Sequence, residues 1–143
     1  MKRWDSTATT TAASHLLAWA TFLWLVFWPS YQGDSVSVTA DGKGLSAPVR
    51  HTATLIEVNG EWVVLLLLVP VACTALACLT MMATHRGSAR RTVLLWITAI
   101  ILSGLSFVSM ASIGMLFLPA ALTLLLAAGF AQGQLQERTS QAG

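Results

Sequence analysis

After Glu61 the chain reads WVVLLLLVPVACTALACLTMMAT, more than twenty residues without a charged side chain. A helix of about 20 apolar residues crosses the hydrocarbon of a bilayer. Three further stretches have the same character, so the four candidate spans run about Ala12–Tyr31, Trp62–Ala83, Thr92–Ser112 and Gly114–Ala131. None contains Asp, Glu, Lys or Arg, and His15 is their only histidine. A buried helix of a soluble domain is usually shorter and keeps a polar face. Of the 143 residues, 55% are hydrophobic and 10% charged, against roughly 25% charged in soluble domains. A chain this small has too much surface per volume to hide that excess in its own interior. The expected fold is an all-α membrane protein with four transmembrane helices in a single membrane domain.

The first span follows Lys2 and Arg3, as a signal peptide would. It ends in Trp-Pro-Ser-Tyr-Gln with no small-x-small cleavage pattern, so an uncleaved span is expected. Trp28 and Tyr31, with Trp62 and Trp96 on the second and third spans, are expected to be interface anchors. Trp19 and Trp24 lie deeper and are expected to pack on a helix or a partner, or to face lipid.

Orientation follows from the basic residues. With both termini cytoplasmic, Lys2, Arg3, Arg86, Arg90, Arg91 and Arg138 lie inside, and only Lys43 and Arg50 outside. The positive-inside rule favours that arrangement. The acids lean the other way, with Asp34, Asp41, Glu57 and Glu61 outside. The expected site is therefore a bacterial inner membrane, crossed several times.

The connections differ in length. The outer loop, residues 32–61, holds DSVSVTA (Asp34–Ala40), a DGKG turn and HTATLIEV (His51–Val58). These predict a short extracytoplasmic β-hairpin. The inner loop, 84–91, is short and basic, and the link between the third and fourth spans is minimal. Both tails, rich in Thr, Ser, Ala and Gln, are expected to be loosely ordered.

Few residues carry chemistry. No ionisable group is expected in mid-membrane, which argues against a self-sufficient pump or secondary transporter. No metal-ligand spacing, catalytic triad, P-loop or dinucleotide fingerprint is present. The outer acids read as solvated charge or, alternatively, as a cation site. His15 and His85 both fall near the inner face, where they read as interfacial residues or, alternatively, as axial ligands of a haem. Ala99, Ser103, Ser106 and Met110 share one stripe of the third span, with Gly104 beside it. Small residues there allow close helix approach; a ligand groove is the other reading. Pro70 removes the hydrogen bond of the Leu66 carbonyl and kinks the second span. Pro119 falls in a first helical turn, where proline is tolerated. Cys73 and Cys78 lie about 140° apart on a helix and cannot pair within it. No cofactor or metal is called for, and a net charge of +2 with no basic, aromatic-laced face gives nucleic acid no footprint.

The segments ATLIEVNGEWVVLLLLVPVA and SIGMLFLPAALTLLLAA, with WPSYQG before the loop, resemble an uncharacterised family of small bacterial four-helix membrane proteins. The resemblance covers most of residues 12–131 and implies an architecture without a mechanism. The layout is also similar in shape to claudin-type proteins, without the tryptophan and paired-cysteine signature of their first loop. The expectation is a non-enzymatic accessory or scaffold subunit, packing in the bilayer with other membrane proteins or copies of itself. The alternatives are an oligomeric channel or small transporter-like unit, and a haem-binding electron-transfer subunit.

Overall fold

A computed structural model of the chain describes residues 5–29, 31–35, 49–109 and 113–141. The elements are α1 (Ser6–Phe27), β1 (Tyr31–Ser35), β2 (Val49–Ala53), α2 (Leu55–Asn59), α3 (Trp62–Ala83), α4 (Ala89–Val108) and α5 (Gly114–Gln141). Helices α1, α3, α4 and α5 are each long and apolar enough to cross a membrane. They form a ring in which α5 packs on α1 and α4, and α3 closes the other side against the same two helices. The first and last described residues, Asp5 and Gln141, lie at one end of the bundle (the termini end), and the strands lie at the other (the hairpin end).

Two helices start or stop where the hydropathy does not. α1 begins at Ser6, ahead of the expected Ala12, and α5 continues to Gln141, past the expected Ala131. The α1 tail is drawn into helix by packing, whereas residues 132–141 of α5 are mostly exposed. Thr7, Thr11, Ser14 and Ala18 recur every three or four positions and are buried, facing α5. Small side chains let the backbones approach closely, and the Ser14 hydroxyl donates to the Ala120 carbonyl at 2.7 Å. α5 answers with its own stripe of buried Ala120, Ala121, Ala127, Ala128 and Ala131. Because α5 starts at Gly114, Pro119 falls in its second turn rather than the first.

The core has two halves. Toward the hairpin end, Ala18, Phe22 and Leu25 of α1 meet Leu55, Val63, Leu67, Val71 and Phe117. Toward the termini end, Leu95, Ala99 and Leu102 of α4 meet Ala77 and the α5 alanines.

The hairpin is real but smaller and shifted. β1 and β2 pair antiparallel, with Tyr31 opposite Ala53 and Asp34 opposite Arg50. Most of DSVSVTA and the DGKG turn lie outside the described residues. The expected second strand ends at Ala53, because Thr54 and Glu57 form a capping box that turns the chain into α2. Glu57 Oε2 accepts from the Thr54 N–H at 2.6 Å, and Thr54 Oγ1 accepts from the Glu57 N–H at 3.3 Å. The reciprocal pairing satisfies two donors that a helix start leaves orphaned. It also drops Leu55 into the core, 2% exposed.

Candidate functional site

The principal polar centre is at the termini end. Asp5 stands at the N-cap position of α1 yet makes no side-chain cap bond. Its carboxylate turns across the bundle instead. Oδ2 meets Arg86 Nε at 2.8 Å and Arg91 Nη2 at 3.1 Å. Oδ1 accepts from Gln134 Nε2 at 3.0 Å. One side chain thus joins α1, the α3–α4 loop, the start of α4 and the last third of α5. Asp5 and Arg91 are nearly enclosed, their side chains 7% and 2% exposed. Burial pushes the Asp5 carboxyl up; the Gln134 and Arg91 hydrogen bonds and the Arg91 and Arg86 charges outweigh it and hold it below the usual carboxylate range.

Arg91 was expected only as a loop charge. It lies on the buried face of α4 in step with Leu95, Ala99, Leu102 and Ser106. That three-to-four spacing was the sequence signal that it points inward. Ser88 Oγ caps the helix by accepting from the Arg91 N–H at 3.2 Å. Beside the Asp5 centre is a cleft of about 570 Å³, bordered by the loop and by α5 from Gly129 to Gln141.

A second polar group lies at mid-level along the helices, with His15 half-buried and Trp19 exposed. His15 Nδ1 is 2.9 Å from Thr74 Oγ1, and Trp19 Nε1–H donates to His15 Nε2 at 3.1 Å. Trp19 has no acceptor on its ring nitrogen, so Nε2 must carry the lone pair and Nδ1 the proton. The Nδ1–H then donates to Thr74, whose hydroxyl donates in turn to the Val71 carbonyl at 2.9 Å. Thr74 lies roughly 14 Å of helix from the Ala83 end of α3 and roughly 18 Å from the Trp62 end. His15 is therefore near mid-bundle, not at the rim where the sequence placed it. This also corrects the expectation that no ionisable side chain sits at that depth. The cause is the earlier start of α1. His85 lies past the end of α3, roughly 15 Å in level from Thr74. The two imidazoles do not meet, and both ring nitrogens of His15 are engaged.

The remaining candidates are scattered. Ala99 is fully buried and Ser106 nearly so. The hydroxyls of Ser103 and Ser106 are buried without a partner. Gly104 departs from its expected packing role, since a Cβ there would meet nothing within 4 Å. Met110 lies outside the described residues. Pro70 and Ser106 come together in the wall of an apolar cleft of about 260 Å³ with Leu66, Phe117 and Gly114.

Trp28, Tyr31 and Trp62 are exposed at the hairpin end, and Trp24 stacks on Trp28 with centroids 4.6 Å apart. Trp96 Nε1–H donates to Gln132 Oε1 at 2.9 Å. Of the described outer acids, Asp34 pairs with Arg50 at 3.7 Å and Glu57 serves the capping box; Asp41 is outside the described residues. Cys73 and Cys78 are free and half-buried. Among the described residues no cluster of three His, Cys, Asp or Glu could hold a metal ion.

The ring of four apolar helices, closed at one end by an ion-paired centre, defines a polytopic helical membrane protein. No family model, curated protein or solved structure matches the chain.

Proposed function

We propose that the protein is a non-enzymatic accessory or scaffold subunit of a bacterial inner membrane, with both termini in the cytoplasm. Its contacts are the lipid bilayer and other membrane proteins or copies of itself, and nucleic acid is not among them. The observation that carries this reading is the inward use of polar groups. Asp5 is taken up by Arg86, Arg91 and Gln134, and His15 by Thr74 and Trp19. Chemistry on a substrate needs such groups facing a site; here they hold helices together. Along the spans, what faces outward is largely apolar and aromatic, including Trp19 and Trp24. Exposed tryptophans of this kind anchor protein interfaces.

The rival reading is a pore lined by hydroxyls between copies. It has less support, because the unpartnered Ser103 and Ser106 hydroxyls are shut inside the single chain. Purification of the native protein in mild detergent, followed by mass spectrometry, tests the choice. A stoichiometric partner or a defined homo-oligomer is expected. Ion flux through liposomes containing this chain alone would overturn the proposal.

A further inference from the structure

The cleft at the termini end has a composition that the Asp5 centre does not explain. It spans two environments. At its membrane side stand Gly129, Phe130 and Gly133 of α5. Their level follows from neighbours, since Thr92 in the first turn of α4 donates to the Ala131 carbonyl at 3.3 Å. A Cβ at Gly129 or Gly133 would meet nothing within 4 Å, so both leave open space beside the helix. At the aqueous side stand Arg86, Glu137 and Arg138.

The charged groups are available. Among the described residues the side chains of Glu137 and Arg138 have no hydrogen-bond or ion-pair partner. Arg86 is tied to Asp5 through Nε and stays 60% exposed. Gln134 also lines the cleft; its Nε2 is bound to Asp5 while its Oε1 is buried without a partner. Gly87 holds Arg138 in place from below: a Cβ there would sit 2.7 Å from Arg138 Cδ, and the residue has φ +67°.

We propose that this cleft binds the headgroup of a zwitterionic aminophospholipid. The phosphate is held by Arg138 and the free edge of Arg86, the ammonium by Glu137. The glycerol and the first acyl carbons lie along the glycines and Phe130. Both signs of charge beside an apolar groove favour this chemistry over an anionic lipid, whose headgroup would leave Glu137 facing a negative charge. About 570 Å³ is within the roughly 300–1,000 Å³ typical of small-ligand sites. This inference is independent of the subunit reading above.

Native mass spectrometry of the delipidated full chain tests it. Dioleoyl phosphatidylethanolamine, phosphatidylcholine and phosphatidylglycerol are offered in turn, with inorganic phosphate as the free-anion arm. One phosphatidylethanolamine per chain is expected to survive activation that strips the other two lipids. Arg138→Gln and Gly133→Leu should each weaken its retention about tenfold, as loss of a charge-assisted bond or a filled groove implies. Glu137→Gln should remove the preference over phosphatidylglycerol while leaving phosphate-dependent binding. Gly133 has open space around it and Arg138 lies against Gly87, so an unchanged circular dichroism spectrum of each variant is required to show that the fold is kept. Equal retention of all three lipids, indifference to Arg138→Gln, or equal protection by inorganic phosphate would each overturn the proposal.

Discussion

Asp5 illustrates how one side chain organises the termini end. Replacing it with Asn leaves Arg91, 2% exposed and already unpartnered at Nε, without its counter-charge. Breaking a buried pair from one side costs about 3 kcal/mol at the lower end of the usual range. The lower end applies because Arg86 reaches solvent. Asp5→Asn should therefore lower stability by about that amount in a reversible detergent-unfolding titration. The pH dependence has the same origin. The folded carboxyl binds its proton less readily than the unfolded one. Its stabilisation is full above the ordinary carboxylate value and lost as pH falls through the depressed folded value. The wild type should lose more stability in acid than Asp5→Asn, which keeps only the acid loss due to other carboxylates such as Glu57. Gly114 makes a different point. A Cβ there would run into the Ser106 carbonyl oxygen and lie 2.6 Å from the Ser109 carbonyl carbon. Those are backbone atoms at the α4–α5 turn and cannot rotate away. Gly114→Ala should cost about 1–3 kcal/mol, as overpacking does, read as a lowered thermal midpoint. Gly104→Ala, with open space around it, is the matched control and should be neutral or slightly stabilising.

At the scale of elements, α2 is the clearest case of local sequence deciding structure. The run TLIEV is rich in β-branched residues and reads as strand, but Thr54 and Glu57 stand three apart and cap each other. The capping box was legible in the sequence; β-propensity obscured it, because strand preference measures fit to a half-buried sheet. Glu57 is held below the usual carboxylate range by the Thr54 backbone and side-chain bonds. Thr54→Ala should unwind this single turn, seen as faster amide exchange at Val58 and Gly60, with the four long helices unchanged. The long helices show the converse. α3 lies where hydropathy alone put it, whereas α1 and α5 run on through polar tails. The extra turns of α1 bury Thr7 and Thr11, and those of α5 are tied to the start of α1 by the Gln134–Asp5 hydrogen bond.

For the whole molecule, the ring of helices brings both termini to one end, since Asp5 and Gln134 are bonded although 129 positions apart. Single cysteines placed at Arg138 and at Thr52, in a background with Cys73 and Cys78 replaced by Ala, test the orientation. Membrane-impermeant maleimide should label position 52 in intact cells and position 138 only after permeabilisation. Labelling of both from one side would contradict the four-span arrangement. The four apolar runs were plain in the sequence because partition into lipid depends on composition summed along a helix, and neighbours hardly enter. The strand pair was legible as well, though not its register. Which helices touch was not, because every helix surface is apolar and many pairings bury similar area. The inward face of Arg91 was legible in its spacing from Leu95 and Ala99, but the depth of His15, the inward turn of Asp5 and the cleft beside it were decided by tertiary structure alone. Each depends on a few small side chains of α1 and α5 meeting at close range, an event that no single segment encodes by itself.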